Sequence, residues 1–454
     1  MLSRLVLWLD DRLGTAHFLK HALRKAFPDH WSFMLGEINV YCFAVLLATG
    51  TFLAFNFDPS ASKLIYHGPY RLLDGQPMSA AYASALRLSF AVNAGLLIRQ
   101  IHHWAAVVFV AGIVTHMGRV FFTGAFRNPR EPNWWLGILL FLLAMGEGFT
   151  GYSLPDDLLS GIGLRIADAV VLSVPVAGTW ASFLLLGGVF PGSQTEPRLF
   201  SAHVFALPAL IAGAIGLHLA IVWRQKHTQF RAPGRTENNV VGSPLFPNYA
   251  IKSAALGFAV TAVLVGLGAF VQINPIWLYG PYVAYRAASP AQPDWYVGWL
   301  DGALRLSWPW SIHLWGHLVP SPFFPGLLLP LALFGLLAGW PFLEWALTKD
   351  ARPHQLLDRP RDVPWRTGAG TALFVLALGL TLAGSDDVQA RYLHAPIETL
   401  TSIYRWFCIG APPLAFAIAY ALAADLRARG GAGRAPRVRL RRNADGGFDE
   451  ETIA

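Results

Sequence analysis

The segment Arg99–Arg119 opens with Arg-Gln-Ile-His-His, runs through a dozen mostly apolar residues and closes on His116-Met117-Gly118-Arg119. It is long enough to place both histidines in one membrane-crossing helix. At about 1.5 Å and about 100° per residue, the steps from His102 to His116 cover about 21 Å and return to within about 40° of the starting direction. His103 points about 140° away from His116, so His102 is its partner on that face. A second apolar run, Val204–Leu217, lies between His203 and His218, one residue further apart than the first pair. That spacing is about 22 Å and about 60° off alignment, so a twist or local bulge must realign His218. A lone imidazole in a membrane helix is ordinarily a packing or hydrogen-bonding residue. Two helices with matched pairs instead frame two bis-imidazole metal centres stacked across the bilayer.

The rest of the chain agrees with a membrane setting. Of 454 residues 54% are hydrophobic and only 14% charged, which excludes an ordinary soluble globule. The expected fold is an all-α polytopic membrane protein with about eight transmembrane helices, near 33–55, 93–120, 134–154, 200–224, 251–271, 322–346, 368–385 and 403–424. Residues 172–190 are apolar but broken by Pro175 and glycines, and read as part of a surface helical hairpin. Four segments follow: an amphipathic start at 1–30, a four-helix metal-binding bundle at 31–230, a second four-helix part at 231–425, and a basic tail at 426–454, expected to be disordered. Most of the 35 Lys and Arg residues fall on one side if the N-terminus is cytoplasmic, so both termini are expected there. The net charge of +8 is therefore a matter of topology and lipid attraction, not of nucleic-acid binding. Only Cys42 and Cys408 are present, without Cys-x-x-Cys-His. No covalent c-type haem and no four-thiolate iron–sulfur cluster is expected on this chain.

Two further spans carry glycines at the spacing of the first histidine pair, Gly36 with Gly50 and Gly137 with Gly151. Each pair could serve ordinary helix packing, but a flat macrocycle wedged into a bundle needs neighbours without side chains, and the register favours haem. Arg99 and Arg119 flank the histidines and suit haem propionates, positive-inside anchoring being the alternative for Arg119. The outer loops are long. The segment Gln272–Ser321 holds Trp295, Trp299, Trp308, Trp310 and Trp315, most of them expected as interfacial anchors.

Together, Ile98-Arg99-Gln100-Ile101-His102, Thr115-His116-Met117-Gly118-Arg119, Phe149-Thr150-Gly151-Tyr152-Ser153-Leu154-Pro155, Arg198-Leu199-Phe200-Ser201-Ala202-His203 and Pro293-Asp294-Trp295-Tyr296 resemble the cytochrome b subunit of cytochrome bc complexes. Asp156-Asp157-Leu158-Leu159-Ser160-Gly161 and Trp223–Gln229 resemble the actinobacterial branch. The resemblance implies a quinol–cytochrome c reductase of the cell (plasma) membrane with two non-covalent b haems. His102 and His203 would hold the low-potential outer haem, and His116 and His218 the high-potential inner one. It also implies a quinone, of the menaquinone type, reacting at each face. Plastid relatives carry an extra haem through a Cys before the first glycine. Met34 and Leu35 stand there instead, so that haem is not expected.

By the same resemblance the outer quinol site comprises Pro293, Asp294, Trp295, Tyr296, Leu154 and Pro155. The family's usual Glu is shortened to Asp294, expected to act with Tyr296 as the catalytic pair. A helix cap is the other reading of an Asp after Pro. At the inner quinone site the acid that usually follows the Lys is missing, because Lys252 precedes Ser253. His227 and Lys252 are the remaining candidates. The implied partners are a Rieske-type iron–sulfur subunit, a cytochrome c subunit, a second copy in a homodimer, a haem-copper terminal oxidase in a supercomplex, and membrane lipid. A dihaem membrane anchor of a dehydrogenase and a metal or proton transporter are the alternatives. Pro293–Tyr296 argues against the first, and the matched His and Gly pairs argue against the second.

Overall fold

The computed structural model describes residues 2–286, 292–314, 316–430, 438–442 and 448–452, which leaves Trp315 outside the described residues. The chain is an all-α polytopic membrane protein. Among the described residues eight helices are long and apolar enough to cross a bilayer: Leu35–Ala54, Gly95–Phe122, Glu131–Ser153, Thr195–Gln225, Leu245–Phe270, Phe324–Thr348, Pro364–Ala383 and Ile397–Arg429.

In chain order, α1 (Leu2–Leu13) and α2 (Thr15–Leu23) form the amphipathic start. The first span is α3 (Leu35–Ala54). Next, α4 (Ala80–Phe90) is capped by the Ser79 hydroxyl, which accepts from the Tyr82 N–H, and leads into α5 (Gly95–Phe122). Then come α6 (Glu131–Ser153), with Pro132 in its first turn, and the short pair α7 (Leu158–Leu172) and α8 (Gly178–Leu186). That pair is the helical hairpin expected near 172–190, although α7 begins earlier. The fourth span is composite: α9 (Thr195–Ser201), a π-helical turn at Ala202–Ala206, and α10 (Leu207–Gln225). The second half comprises α11 (Ala250–Phe270), α12 (Trp295–Leu306), α13 (Leu329–Thr348), α14 (Pro364–Ala383), α15 (Asp386–Leu393) and α16 (Ile397–Gly430). The tail therefore begins helically, with Arg429 paired to Asp425 one turn earlier, and Val438–Arg442 pairs with Phe448–Thr452.

Inside the bundle α3 packs on α5, α6 on α10, α5 on α11, and α14 on α12 and α16. The central cluster runs from Cys42 and Phe109 through Ile211 and Leu264 to Tyr296 and Trp340, so it crosses from the first half to the second. Many large apolar side chains, such as Phe258, Phe270 and Leu331, face outward instead, as lipid-facing residues do.

A backbone defect ties the halves together. Pro341 has no N–H, so the Leu337 carbonyl loses its donor inside α13. Trp134 of α6 donates its indole N–H to that carbonyl at 2.7 Å, and Trp135 donates to Ala338 at 2.9 Å. At the same end of the bundle Arg366, fully buried, bridges Glu344 and Asp358 at 2.7 Å each, and Arg127 reaches Asp358 at 3.0 Å. This end, with its basic connections, is called the basic face below, and the end with the long connections is called the loop face.

Candidate haem and quinol site

His102 and His116 project from α5, His203 from the π turn and His218 from α10. His102 faces His203 with ring centroids 6.2 Å apart and planes at 77°, and His116 faces His218 at 6.3 Å and 71°. Two metal–imidazole bonds of about 2 Å each, plus the ring radii, require a centroid separation of about 6 Å. Of the twist or bulge that the unequal spacing allows, the fourth span has a bulge, the π turn at Ala202–Ala206. In the π turn the Leu207 N–H reaches back five residues to Ala202, which inserts one residue without rotating the rest of the helix. Pro208, which cannot donate to Val204, explains why the turn widens there.

Among the described residues, no cluster of three or more His, Cys, Asp or Glu side chains could hold a metal ion by itself. The two facing imidazoles of each pair would hold the iron of a planar macrocycle, and the surroundings fit haem. Gly36 lies against His116, Gly50 against His102 and Gly151 against His203, where a Cβ would come within 2.4 Å of the ring. Gly137 has open space beside it. Arg99 and Arg119 line the two cavities, their Nε atoms buried without a partner, as is Nη2 of Arg119. Buried cations without counterions are costly, and the acidic edge of a haem would supply them. The arginines are held from behind: Arg99 donates to the Asn274 carbonyl, and Arg119 stacks over Phe33 at 4.3 Å.

The rings differ in what supports them. His102 Nδ1 lies 2.9 Å from the Thr49 hydroxyl. His203 Nδ1 lies 3.1 Å from a Glu147 carboxylate oxygen and 3.0 Å from the Glu147 carbonyl. His116 and His218 have no hydrogen-bond partner at Nδ1.

At the loop face a cavity of about 230 Å³ contains His102 and His203 together with Asp294, Tyr296, Leu154, Pro155, His103 and Glu147. Asp294 precedes α12 but makes no side-chain cap bond. Its two oxygens instead accept from His103 Nε2 and from the Tyr296 hydroxyl, both at 2.9 Å. The cap alternative is thereby set aside, and the shorter side chain does reach the cavity. Tyr296 is buried, and Gly148 lets it approach α6, since a Cβ there would lie 2.2 Å from its hydroxyl. Pro293 and Trp295 do not line this cavity, and Trp295 is 39% exposed. Nearby, Asp157 caps α7, and burial pushes its carboxyl up to about 6.

At the basic face a cavity of about 400 Å³ holds His116 and His218, with Glu37, Tyr249 and His227 on its wall. Burial, followed by the charges of Lys25, Arg119 and Arg130, lowers the His227 pKa to about 4. Its Nδ1 has no partner. Lys252 is absent from that wall because it pairs with Asp29 at 2.7 Å, half exposed. Glu37 takes the acidic place, accepting hydrogen bonds from the Tyr249 and Ser253 hydroxyls.

Sequence reasoning missed His103, Glu147 and Glu37. His103 points away from the face of His102 and His116, and that direction is toward α12. Glu37 and Glu147 were visible as carboxylates inside apolar helices, a combination that is functional by default.

A family profile described as cytochrome b (N-terminal)/b6/petB matches residues 107–281. The cytochrome bc1 complex cytochrome b subunit of Mycobacterium bovis is 49% identical over 413 residues, covering 91% of this chain and 75% of the relative. That of Streptomyces coelicolor is 48% identical over 415 residues, covering 91% and 76%. A chain of a solved hyperthermophilic respiratory Complex III shares the fold, with a TM-score of 0.67 and 20% identity over 92% of this chain and 100% of that one. The paired imidazoles, their glycine neighbours and this likeness over nine-tenths of the length lead to one conclusion: the chain belongs to the cytochrome b family.

Proposed function

We propose that the chain is the catalytic membrane subunit of a quinol–cytochrome c reductase that oxidises quinol at the loop face with bifurcated electron transfer. One electron leaves to a Rieske-type iron–sulfur subunit and on to a cytochrome c subunit. The other crosses the membrane to a quinone at the basic face. Two non-covalent b haems, on His102 with His203 and on His116 with His218, supply the one-electron relay when bound. Menaquinone, a homodimer and association with a haem-copper oxidase belong to the same reading, each resting on the resemblance of the Asp156–Gly161 and Trp223–Gln229 segments to the actinobacterial branch.

The observation that carries this reading is the cluster of Asp294, His103 and Tyr296, which opens into the same cavity as His102 and His203. Asp294 accepts a proton from quinol, and a base in hydrogen-bond reach of the reacting hydroxyl contributes roughly 10²- to 10⁴-fold. Tyr296 and His103 fix the carboxylate. Arg99 and Arg119 bind the haem carboxylates. Glu37 and His227, in place of Lys252, serve proton uptake at the basic face. That face is cytoplasmic, as are both termini, because the basic residues gather there. The plasma membrane then separates proton release from proton uptake, which contributes to the proton-motive force.

Pyridine haemochrome analysis of the purified complex tests the core of the proposal. Two b haems per chain, both removed by acid-acetone, are expected. A count of one, or haem that resists extraction, overturns it.

A further inference from the structure

The loop-face and basic-face imidazole pairs have nearly equal ring separations, 6.2 and 6.3 Å, and arginines line each cavity, Arg99 at the loop face and Arg119 with Arg130 at the basic face. Each cavity also contains a carboxylate in a membrane helix, Glu147 or Glu37. The two carboxylates are used differently. Glu37 accepts from the hydroxyls of Tyr249 and Ser253, and neither of those bonds involves an imidazole. Glu147 places Oε1 3.1 Å from Nδ1 of His203, and its Oε2 is buried with no partner. Its charge is therefore not shared out among hydroxyl donors, as that of Glu37 is. The other carboxylate at the loop-face cavity, Asp294, is bonded to His103 and Tyr296. His102 Nδ1 has the neutral Thr49 hydroxyl and its ring a hydrogen bond to the Leu46 backbone, as His203 has the Thr150 hydroxyl at 3.4 Å and the Glu147 carbonyl, but no carboxylate stands against His102; His116 and His218 have no partner at Nδ1.

We infer that Glu147 is a positioning residue that holds the loop-face haem below the basic-face haem in reduction potential, acting through His203. The Nδ1–H of His203 donates to the Glu147 carbonyl, and the carboxylate 3.1 Å from the same nitrogen adds a negative charge that favours the more positive, oxidised iron. The direction matters because an electron must fall from the loop-face centre to the basic-face centre against the membrane potential. The Glu147 carbonyl, 3.0 Å from the same Nδ1, fixes the ring orientation and keeps the tautomer with its proton on Nδ1. This inference rests on the two-haem reading above.

The test is an optical redox titration of the purified complex carrying Glu147→Gln, which keeps the shape and an acceptor oxygen but removes the charge. The reduction constant of one haem should rise at least tenfold, which is about 59 mV for a one-electron couple. The other haem should stay within twofold of wild type. Glu147→Asp, which retains the charge, should shift the same haem less. A change below threefold in the Gln variant with two haems retained, or an equal shift of both haems, overturns the inference and leaves the two-haem reading standing. A wild-type count of one haem per chain overturns both.

Discussion

Asp294 sits where a helix cap would be, yet neither of its oxygens reaches the backbone of α12. Asn can cap a helix about as well as Asp but cannot take up a proton. Asp294→Asn should therefore cut quinol oxidation tenfold or more while both haem spectra remain, and unchanged turnover from about pH 6 to about pH 8 would refute the assignment. His103→Leu removes a hydrogen bond to a charged group, worth about 1.5–3 kcal/mol, and should slow turnover by a comparable factor. Steady-state rates set beside haem spectra separate this effect from misfolding. Gly151→Ala is a different kind of change. A Cβ 2.4 Å from the His203 ring must displace the ligand, so the loop-face haem should be lost and the haem count should fall by one.

At the scale of helices, the extra residue between His203 and His218 is accommodated entirely in the turn Ala202–Ala206. Deleting Phe205 together with Pro208→Ala should give a continuous α-helix with the spacing of α5, and both haems should be retained. Deleting Val110 from α5, which has no such turn between its histidines, should cost a haem. Haemochrome counts on the two variants decide the matter, and a haem lost from the first would rule out the turn as the device that sets register. That a twist or a bulge would be needed was legible from the spacing, because helical pitch is a local property of the chain; that it is a bulge was not. Its position beside His203 became clear only with Pro208 and the i−5 bond of Leu207. The eight spans were equally legible, since length and apolarity alone select them. Tyr296 was legible beside Asp294, two residues on, but His103 was not, because it reaches Asp294 only through the packing of α5 against α12. Lys252 misled for the same reason: its pairing with Asp29 is a contact between distant segments.

Across the whole molecule, the two halves are joined at the basic face by buried charge and by indole N–H groups on carbonyls near Pro341. Arg366→Met leaves Glu344 and Asp358 without their bridging cation, and breaking a buried pair typically costs about 3–5 kcal/mol. Thermal unfolding of the purified complex should show a lowered midpoint, and an unchanged one would mean that Arg127 suffices for both acids. At the loop face, as at the basic face, the cavity wall also contains a ring pair, here His102 and His203 beside Asp294. Whatever enters beside Asp294 becomes a neighbour of a chromophore. An inhibitor seated there should perturb the absorption band of one haem and leave the other untouched, so occupancy can be titrated by eye of the spectrometer in an enzyme that is not turning over.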